Sequence, residues 1–168
     1  MARRLLYLLI GIGILLSCVC PAQAFTAKTL DINVQASGDA IITFSYALSW
    51  YENVAVFAHI ADPNTELKKA LESNYGKNVD VMSATGNQAQ VLVHGFAQQQ
   101  TMPDGSVTLS TPALSFESAQ NVLNRYWFAP LINVDFSPEV TTVDFPDGYV
   151  AQYYDQIAIP AISHTLNG

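Results

Sequence analysis

Three histidines, His59, His94 and His164, are the side chains of this sequence that titrate near neutral pH without help from their surroundings. Histidines bind zinc or copper when at least two converge, and they act as general bases when an acid orients them. The three positions form neither a His-x-x-x-His nor a His-Glu-x-x-His spacing. We therefore expect each histidine to lie at a sheet margin with a backbone hydrogen-bond partner, and we predict no cofactor.

Hydrolytic chemistry has a common local marker, the strained Gly-x-Ser-x-Gly turn that exposes a nucleophilic serine. The sequence lacks it. Carboxylates are abundant, with 14 Asp and Glu residues, and a pair of them several ångströms apart can catalyse hydrolysis. An extracytoplasmic hydrolase that uses dispersed carboxylates and a histidine therefore stays open as an alternative function.

Three acidic residues crowd the last predicted hairpin, namely Asp144, Asp147 and Asp155. Carboxylate oxygens are the ligands that Ca²⁺ prefers in proteins. The sequence therefore predicts a weak calcium site in this hairpin.

Aromatic side chains form the other candidate site. The densest run consists of Arg125, Tyr126, Trp127 and Phe128. A buried helical stripe accommodates only one or two of three consecutive rings, so at least one ring should be exposed to a protein or glycan partner, with Arg125 adding a cation. Tyr153 and Tyr154 form a second doublet, and neighbouring strand residues should place one ring in the core and one outside.

The N-terminus has the three parts of a secretory signal peptide. Arg3 and Arg4 precede an apolar run over 5–16, and Ala22 and Ala24 provide the small residues that a signal peptidase requires. The apolar run is shorter than the roughly 20 residues of a membrane-spanning helix. We expect residues 1–24 to be a signal peptide that is cleaved after Ala24.

Two alternatives remain for this segment. Leu15-Leu16-Ser17-Cys18 resembles a lipobox, in which Cys18 becomes the lipidated first residue of a membrane-tethered lipoprotein. The segment can also persist as an uncleaved N-terminal anchor. All three outcomes predict an extracytoplasmic protein, either secreted or attached to the cell surface.

The charge balance excludes whole classes of partner. Removing Arg3 and Arg4 from the 7 basic residues leaves 5 against 14 acidic ones, a net charge of −9 for residues 25–168. Such a surface repels nucleic acid and anionic lipid, so membrane contact is expected only through the N-terminal segment. Both cysteines, Cys18 and Cys20, precede Ala24, so the cleaved chain has no disulfide or thiolate site.

Alternating apolar residues and turn signals predict three hairpins over 29–50, 79–96 and 140–154. Their turns contain Gly38-Asp39, Gly86-Asn87 and Pro146-Asp147-Gly148. The period of two indicates an antiparallel sheet with one face on the core and the other largely in water. A final strand-like segment over 157–165 is interrupted by Pro160.

Two segments have the spacing of helices. Residues 62–76 begin with Asp62-Pro63 and repeat apolar residues through Leu71, and residues 115–130 begin at Ser115 and repeat them from Phe116. We therefore expect an α+β fold in which residues 25–168 form a single domain. Its antiparallel sheet of about three hairpins would carry two helices packed on one face, as two layers.

The sequence features at the N-terminus support export, whereas no set of residues in the sequence supports a catalytic site. The sequence therefore predicts an exported, non-catalytic binding or structural module with a protein or glycan partner and no nucleic acid.

Overall fold

The computed structural model describes residues 23–48, 65, 68, 71–72, 76–117, 121 and 133–166. These residues are mostly β-strand and form three sheets. The strands in chain order are β1 (Gln23–Val34), β2 (Ala40–Leu48), β3 (Val79–Ala84), β4 (Gln88–Val93), β5 (Gln98–Thr101), β6 (Val107–Ser110), β7 (Leu114–Ser115), β8 (Asn133–Asp135), β9 (Val140–Asp144), β10 (Val150–Tyr154), β11 (Ala158–Ile159) and β12 (Ser163–Thr165).

The largest sheet has the strand order β10-β9-β1-β2-β4-β3, with β8 beside the start of β1. The three predicted hairpins are confirmed as the antiparallel pairs β1/β2, β3/β4 and β9/β10. The expectation of an entirely antiparallel sheet is wrong, because β1 pairs in parallel with both β8 and β9. Parallel pairing requires a long crossover and leaves no turn signal in the local sequence.

Two smaller sheets complete the described fold, one with the order β12-β6-β5 and one made of β11 and β7. The segment around Pro160 is split, as its proline predicts. The strand before the proline, β11, joins β7, and the strand after it, β12, joins β6.

The core lies on one face of the large sheet. Leu30, Ile32 and Val34 of β1 are buried, whereas the alternate residues Asp31 and Asn33 are exposed. The partners of these inward residues on β2 and β9 continue the same face, since Ile32 lies between Ile42 and Val143. The period of two in the sequence therefore reports the burial correctly.

Within the described part of the chain, short strands cover this core face. The predicted α+β fold with two helices on the sheet is wrong: the described residues are mostly strand, and the few helical ones among them form no continuous helix. Leu109 of β6, Leu114 of β7 and Ile159 of β11 belong to the same buried cluster as the β1 residues. These short strands supply the second layer that we expected from helices. Most of residues 62–76 and 115–130 lies outside the described part of the chain.

The β1/β2, β5/β6 and β9/β10 hairpins share one turn geometry. Gly38, Gly105 and Gly148 each have a φ of 87°, in the left-handed region that favours glycine. In each turn the glycine N–H donates to the carbonyl three residues earlier, at 2.9 Å. This is the pattern of a three-residue loop in which a type I turn is followed by a left-handed residue. Two of the three turns have the sequence Pro-Asp-Gly.

No helix within the described residues is long and apolar enough to cross a membrane.

Candidate binding surface

The β9/β10 hairpin is attached at its tip to β12. Nε2 of His164 lies 2.8 Å from Oδ2 and 3.1 Å from Oδ1 of Asp147, the central residue of the Pro146-Asp147-Gly148 turn. The two side chains are only 16% and 8% exposed. The Asp147 carboxylate also accepts the backbone N–H of Tyr149 at 3.3 Å. His164 is thus paired with a carboxylate, and the prediction of a backbone hydrogen-bond partner for it is wrong.

Two aromatic rings enclose the His164 imidazole. The ring of Tyr149 stacks on it with a centroid distance of 4.2 Å and an interplanar angle of 12°. The buried ring of Phe145 meets it edge-on at 5.1 Å. Because these rings cover a face and an edge, they hold the imidazole in one orientation. The exposed Tyr149 ring therefore rests on a rigid support.

A histidine oriented by an aspartate can act as a general base when a nucleophile lies within hydrogen-bond reach. The neighbouring hydroxyls point elsewhere. Ser163 bonds to Ser110 at 2.8 Å and Thr165 to Thr108 at 2.8 Å, on the face of β12 opposite to His164. Within the described residues, the His164 ring forms hydrogen bonds with Asp147 alone. Among the residues that the structure describes, no hydroxyl or thiol is hydrogen-bonded to the His164 ring, so the pair acts there as a structural contact.

Strand β10 presents apolar and aromatic side chains to solvent. Val150 is 46% exposed and Tyr154 is 59% exposed, and Gln152 lies between them on the same face. The Tyr154 hydroxyl donates to Oε1 of Gln152 at 3.0 Å. The alternate residues Ala151 and Tyr153 pack against the core. We call Tyr149, Val150, Gln152 and Tyr154 the β10 surface.

This surface lies along an edge strand. Among the described strands, β10 pairs with β9 alone, and their register runs without a shift from Val150 opposite Asp144 to Tyr154 opposite Val140. The outer edge of such a strand presents a row of backbone N–H and C=O groups that a further strand can pair with.

The other edge strands of the two larger sheets carry features that oppose strand addition. In β3 the register shifts between Val81 and Ser83, and Asp80 forms an ion pair with Lys68 at 3.3 Å. All four residues of β5 are polar and exposed, and β12 has three residues. Strand β10 is uncharged and regular and also presents exposed apolar side chains, so it is better suited to pairing than β3, β5 or β12.

A second histidine lies in an acidic surface cluster at the end of β4. Nε2 of His94 lies 3.0 Å from Oδ2 of Asp80, and Nδ1 lies 3.8 Å from Oδ1 of Asp39. The hydrogen bond to Asp80 is the main cause that raises the pKa of His94 above its ordinary value. A backbone N–H bond from Gly95, at 2.8 Å, is the main cause that lowers the pKa of Asp39. Carboxylates again replace the expected backbone partner.

The structure does not bring the three predicted calcium ligands together. Asp144 ends β9 beside the turn, whereas Asp155 follows β10 at the opposite end of the hairpin. The carboxylate of Asp147 is hydrogen-bonded to His164. Within the described residues, no group of three or more His, Cys, Asp or Glu side chains has the geometry to hold a metal ion.

Several predicted residues lie outside the described part of the chain. These are Cys18, Ala22, Arg125, Tyr126, Trp127 and Phe128, together with His59. The backbone of Ala24 lies in β1, which begins at Gln23 and pairs there with β8.

Tyr149, Val150 and Gln152 were not predicted from the sequence as a candidate surface. The predicted separation of the Tyr153-Tyr154 doublet is confirmed, since Tyr153 packs on the core and Tyr154 is exposed. Extending the same alternation back to Val150 would have identified the outward row. No local signal indicates that β10 ends the sheet, because strand order depends on distant segments.

Comparison with known proteins adds no assignment: no family model matches the sequence, and no significant match was found among curated proteins or solved structures.

Proposed function

We propose that this chain is an exported, non-catalytic binding module that holds an extended segment of a partner polypeptide against β10. The observation that carries the proposal is the regular edge of β10 with its exposed Val150 and Tyr154 side chains. An added strand gains affinity from main-chain hydrogen bonds and specificity from the side chains on either side. Export is part of the proposal on the basis of residues 1–24.

The charges around β10 indicate the chemistry of the partner segment. Asp144 pairs in register with Val150 at one end of the strand, and Asp155 follows Tyr154 at the other end. The strand itself carries no charge. A complementary segment therefore alternates apolar or aromatic residues with polar ones and carries Lys or Arg on both flanks, which also accelerates association.

The same charges disfavour a second copy of this chain as the occupant. Antiparallel pairing of two β10 strands would bring Asp144 and Asp155 of each copy toward the acids of the other. Residues 25–168 of each copy also carry a net charge of −9. Like charges of this density oppose close association.

The direct test is fluorescence anisotropy with a labelled synthetic peptide of about nine residues, in which Val and Tyr alternate with Thr and two lysines flank each end. Val150→Lys and Tyr154→Lys should each weaken binding about tenfold or more, because a charged side chain on an edge opposes strand addition. Met82→Lys is the matched control. Met82 is 56% exposed at the register shift of the opposite edge strand, β3, and its substitution adds the same charge.

Three outcomes would contradict the proposal. The first is a peptide that does not bind, and the second is an equal loss of binding in Met82→Lys. The third is self-association of the wild-type chain that Val150→Lys abolishes in sedimentation velocity, because the occupant would then be a second copy.

A further inference from the structure

An apolar cavity lies on the inner face of the large sheet, at the end away from β10. Its volume is about 220 Å³. Leu30, Ile42 and Phe44 line it from β1 and β2, and Leu114 and Phe116 close it from the side of the small sheets. The rings of Phe44 and Phe116, which both line the cavity, stack on each other with a centroid distance of 6.2 Å and an interplanar angle of 15°.

The size and lining of the cavity suit a small apolar molecule. An apolar cavity of about 150 Å³ lined by Leu, Ile and Phe stays dry and accepts benzene. By that scale, this cavity accommodates an aromatic ring or a short alkyl chain of about nine heavy atoms. Close packing is the rule in protein interiors, so a void of this size forgoes contacts that an apolar ligand would restore.

One cation borders this apolar space. Among the described residues that line the cavity, Lys77 alone is charged. Its Nζ donates to the carbonyl of Gly95, which leaves two of the three ammonium donors for other acceptors. Two other described lysines have carboxylate partners, Lys28 with Glu139 and Lys68 with Glu72 and Asp80. Within the described residues, Lys77 has no carboxylate in ion-pair contact, although acids outnumber bases in the chain by 14 to 7.

We propose that this cavity binds a small apolar monocarboxylate, such as a medium-chain fatty acid or an aryl carboxylate, with its apolar part between Phe44 and Leu114 and its carboxylate on Lys77. The apolar walls supply the burial that drives binding, and the single cation selects an anionic head group. This site is independent of the β10 surface, since none of the described residues that line it belongs to β9 or β10.

The experiment titrates the full-length chain with octanoate and, in parallel, with 1-octanol, which has the same chain length and no charge. Isothermal calorimetry and NMR shifts of the cavity methyl groups report binding. Octanoate should bind with a dissociation constant of roughly 0.1 to 1 mM, as a ligand of this size permits. Octanol should bind more weakly, because it forms no ion pair with Lys77.

Two variants separate the head-group contact from the cavity itself. Lys77→Met keeps the apolar stem and should weaken octanoate binding about fivefold or more while octanol binding is unchanged. Lys28→Met is the matched control, because Lys28 forms an ion pair with Glu139 and is not among the described residues that line the cavity. Ala89→Phe on β4 should fill the cavity and abolish binding of both probes. If this variant does not fold, Ala89→Leu fills a smaller part and should weaken both.

The proposal is overturned if neither probe binds, because the chain then fills the space with its own side chains. It is also overturned if octanoate and octanol bind equally well, or if Lys77→Met and Lys28→Met have the same effect. Failure of the peptide to bind β10 has no bearing on any of these readouts.

Discussion

The carboxylate of Asp147 lies 2.8 Å from Nε2 of His164 and joins the tip of the β9/β10 hairpin to β12 in another sheet. The same tripeptide, Pro-Asp-Gly, forms the β5/β6 turn, where Asp104 accepts the hydroxyl and the backbone N–H of its neighbour Ser106, at 2.7 and 3.0 Å. One local sequence thus serves two purposes. At Asp104 it closes a hairpin, and at Asp147 it also connects two sheets.

The two turns allow a matched substitution. Asp147→Ala should lower the free energy of unfolding by about 1 to 3 kcal/mol, because it leaves the largely buried His164 ring without its partner. Asp104→Ala removes an exposed turn contact and should cost under about 1 kcal/mol. Urea denaturation midpoints measure both. Equal losses would mean that the His164 contact adds nothing beyond the turn.

Two glycines with the same φ of 87° should respond differently to alanine. A Cβ at Gly38 would lie 2.7 Å from the backbone oxygen of Ala97, whereas a Cβ at Gly105 meets nothing within 4 Å. Gly105→Ala should cost about 1 to 2 kcal/mol for the left-handed backbone alone. Gly38→Ala should cost at least about 1 kcal/mol more, since the backbone must shift. A smaller loss at Gly38 in denaturant unfolding would argue against this close contact.

The hairpins were predictable from the sequence because the residues that specify each strand and turn are close together in the chain. Leu30, Ile32 and Val34 alternate with polar residues, and Pro146-Asp147-Gly148 specifies the turn chemistry. The same alternation identified the buried face of β1 correctly.

The second layer and the site were not predictable, because they depend on contacts between residues that are far apart in the sequence. Leu114 and Ile159 cover the core from strands of only two residues, which are too short to show a period of two. The partner of Asp147 is a histidine 17 residues away, and nothing between them indicates the contact. Helical spacing around Leu71 and Phe116 suggested two covering helices, whereas among the described residues β6, β7 and β11 supply buried side chains to this layer.

The His94 cluster makes stability depend on pH. The pKa of His94 is raised from 6.5, chiefly by its hydrogen bond to Asp80. The charged imidazole therefore makes its full contribution to folding stability below about pH 6.5, and this contribution disappears as the pH rises through the folded-state pKa. The pKa values of Asp39 and Asp80 are lowered from 3.8, so their contribution is present above that value and disappears as the pH falls. The cluster should stabilise the fold most between about pH 4 and pH 6.5.

Substitution of the histidine tests this window. His94→Gln should lower the denaturant midpoint at about pH 5.5 and leave it nearly unchanged at about pH 8.5. Asp80→Asn should remove much of the same pH dependence, because it breaks the principal bond to the ring. If His94→Gln lowers the midpoint equally at both pH values, the role of His94 is packing and not charge.

Neighbouring residues on β2 should differ in their contribution to stability. Phe44 faces the core and stacks with Phe116, so Phe44→Ala should cost about 2 to 3 kcal/mol, a moderate loss for a half-buried ring. Thr43 points to the other face, where it accepts a hydrogen bond from Gln90 at 3.3 Å, and Thr43→Ala should cost under about 1 kcal/mol. Chemical denaturation of both variants decides this. Similar losses would show that both faces of β2 are equally important.

Processing of the N-terminus is testable by intact mass. Expression in a secreting host should yield a chain that begins at Phe25, because Ala22 and Ala24 match the peptidase requirement. Ala24→Leu should retain the precursor. If a lipid-modified chain beginning at Cys18 is recovered, and Cys18→Ser releases it from the membrane, the lipoprotein alternative replaces cleavage after Ala24.

The parallel pairing of β1 with β9 also determines the order in which the chain can fold. Lys28 and Glu139, which form an ion pair beside these strands, are 111 residues apart. The β1/β2 hairpin can close as soon as residue 48 has emerged, but its outer edge waits for almost the entire chain. Contacts between such distant segments slow folding and prolong the lifetime of partly formed sheets. A fragment that stops before β9 would leave β1, with its buried Leu30 and Ile32, as an open edge prone to aggregation.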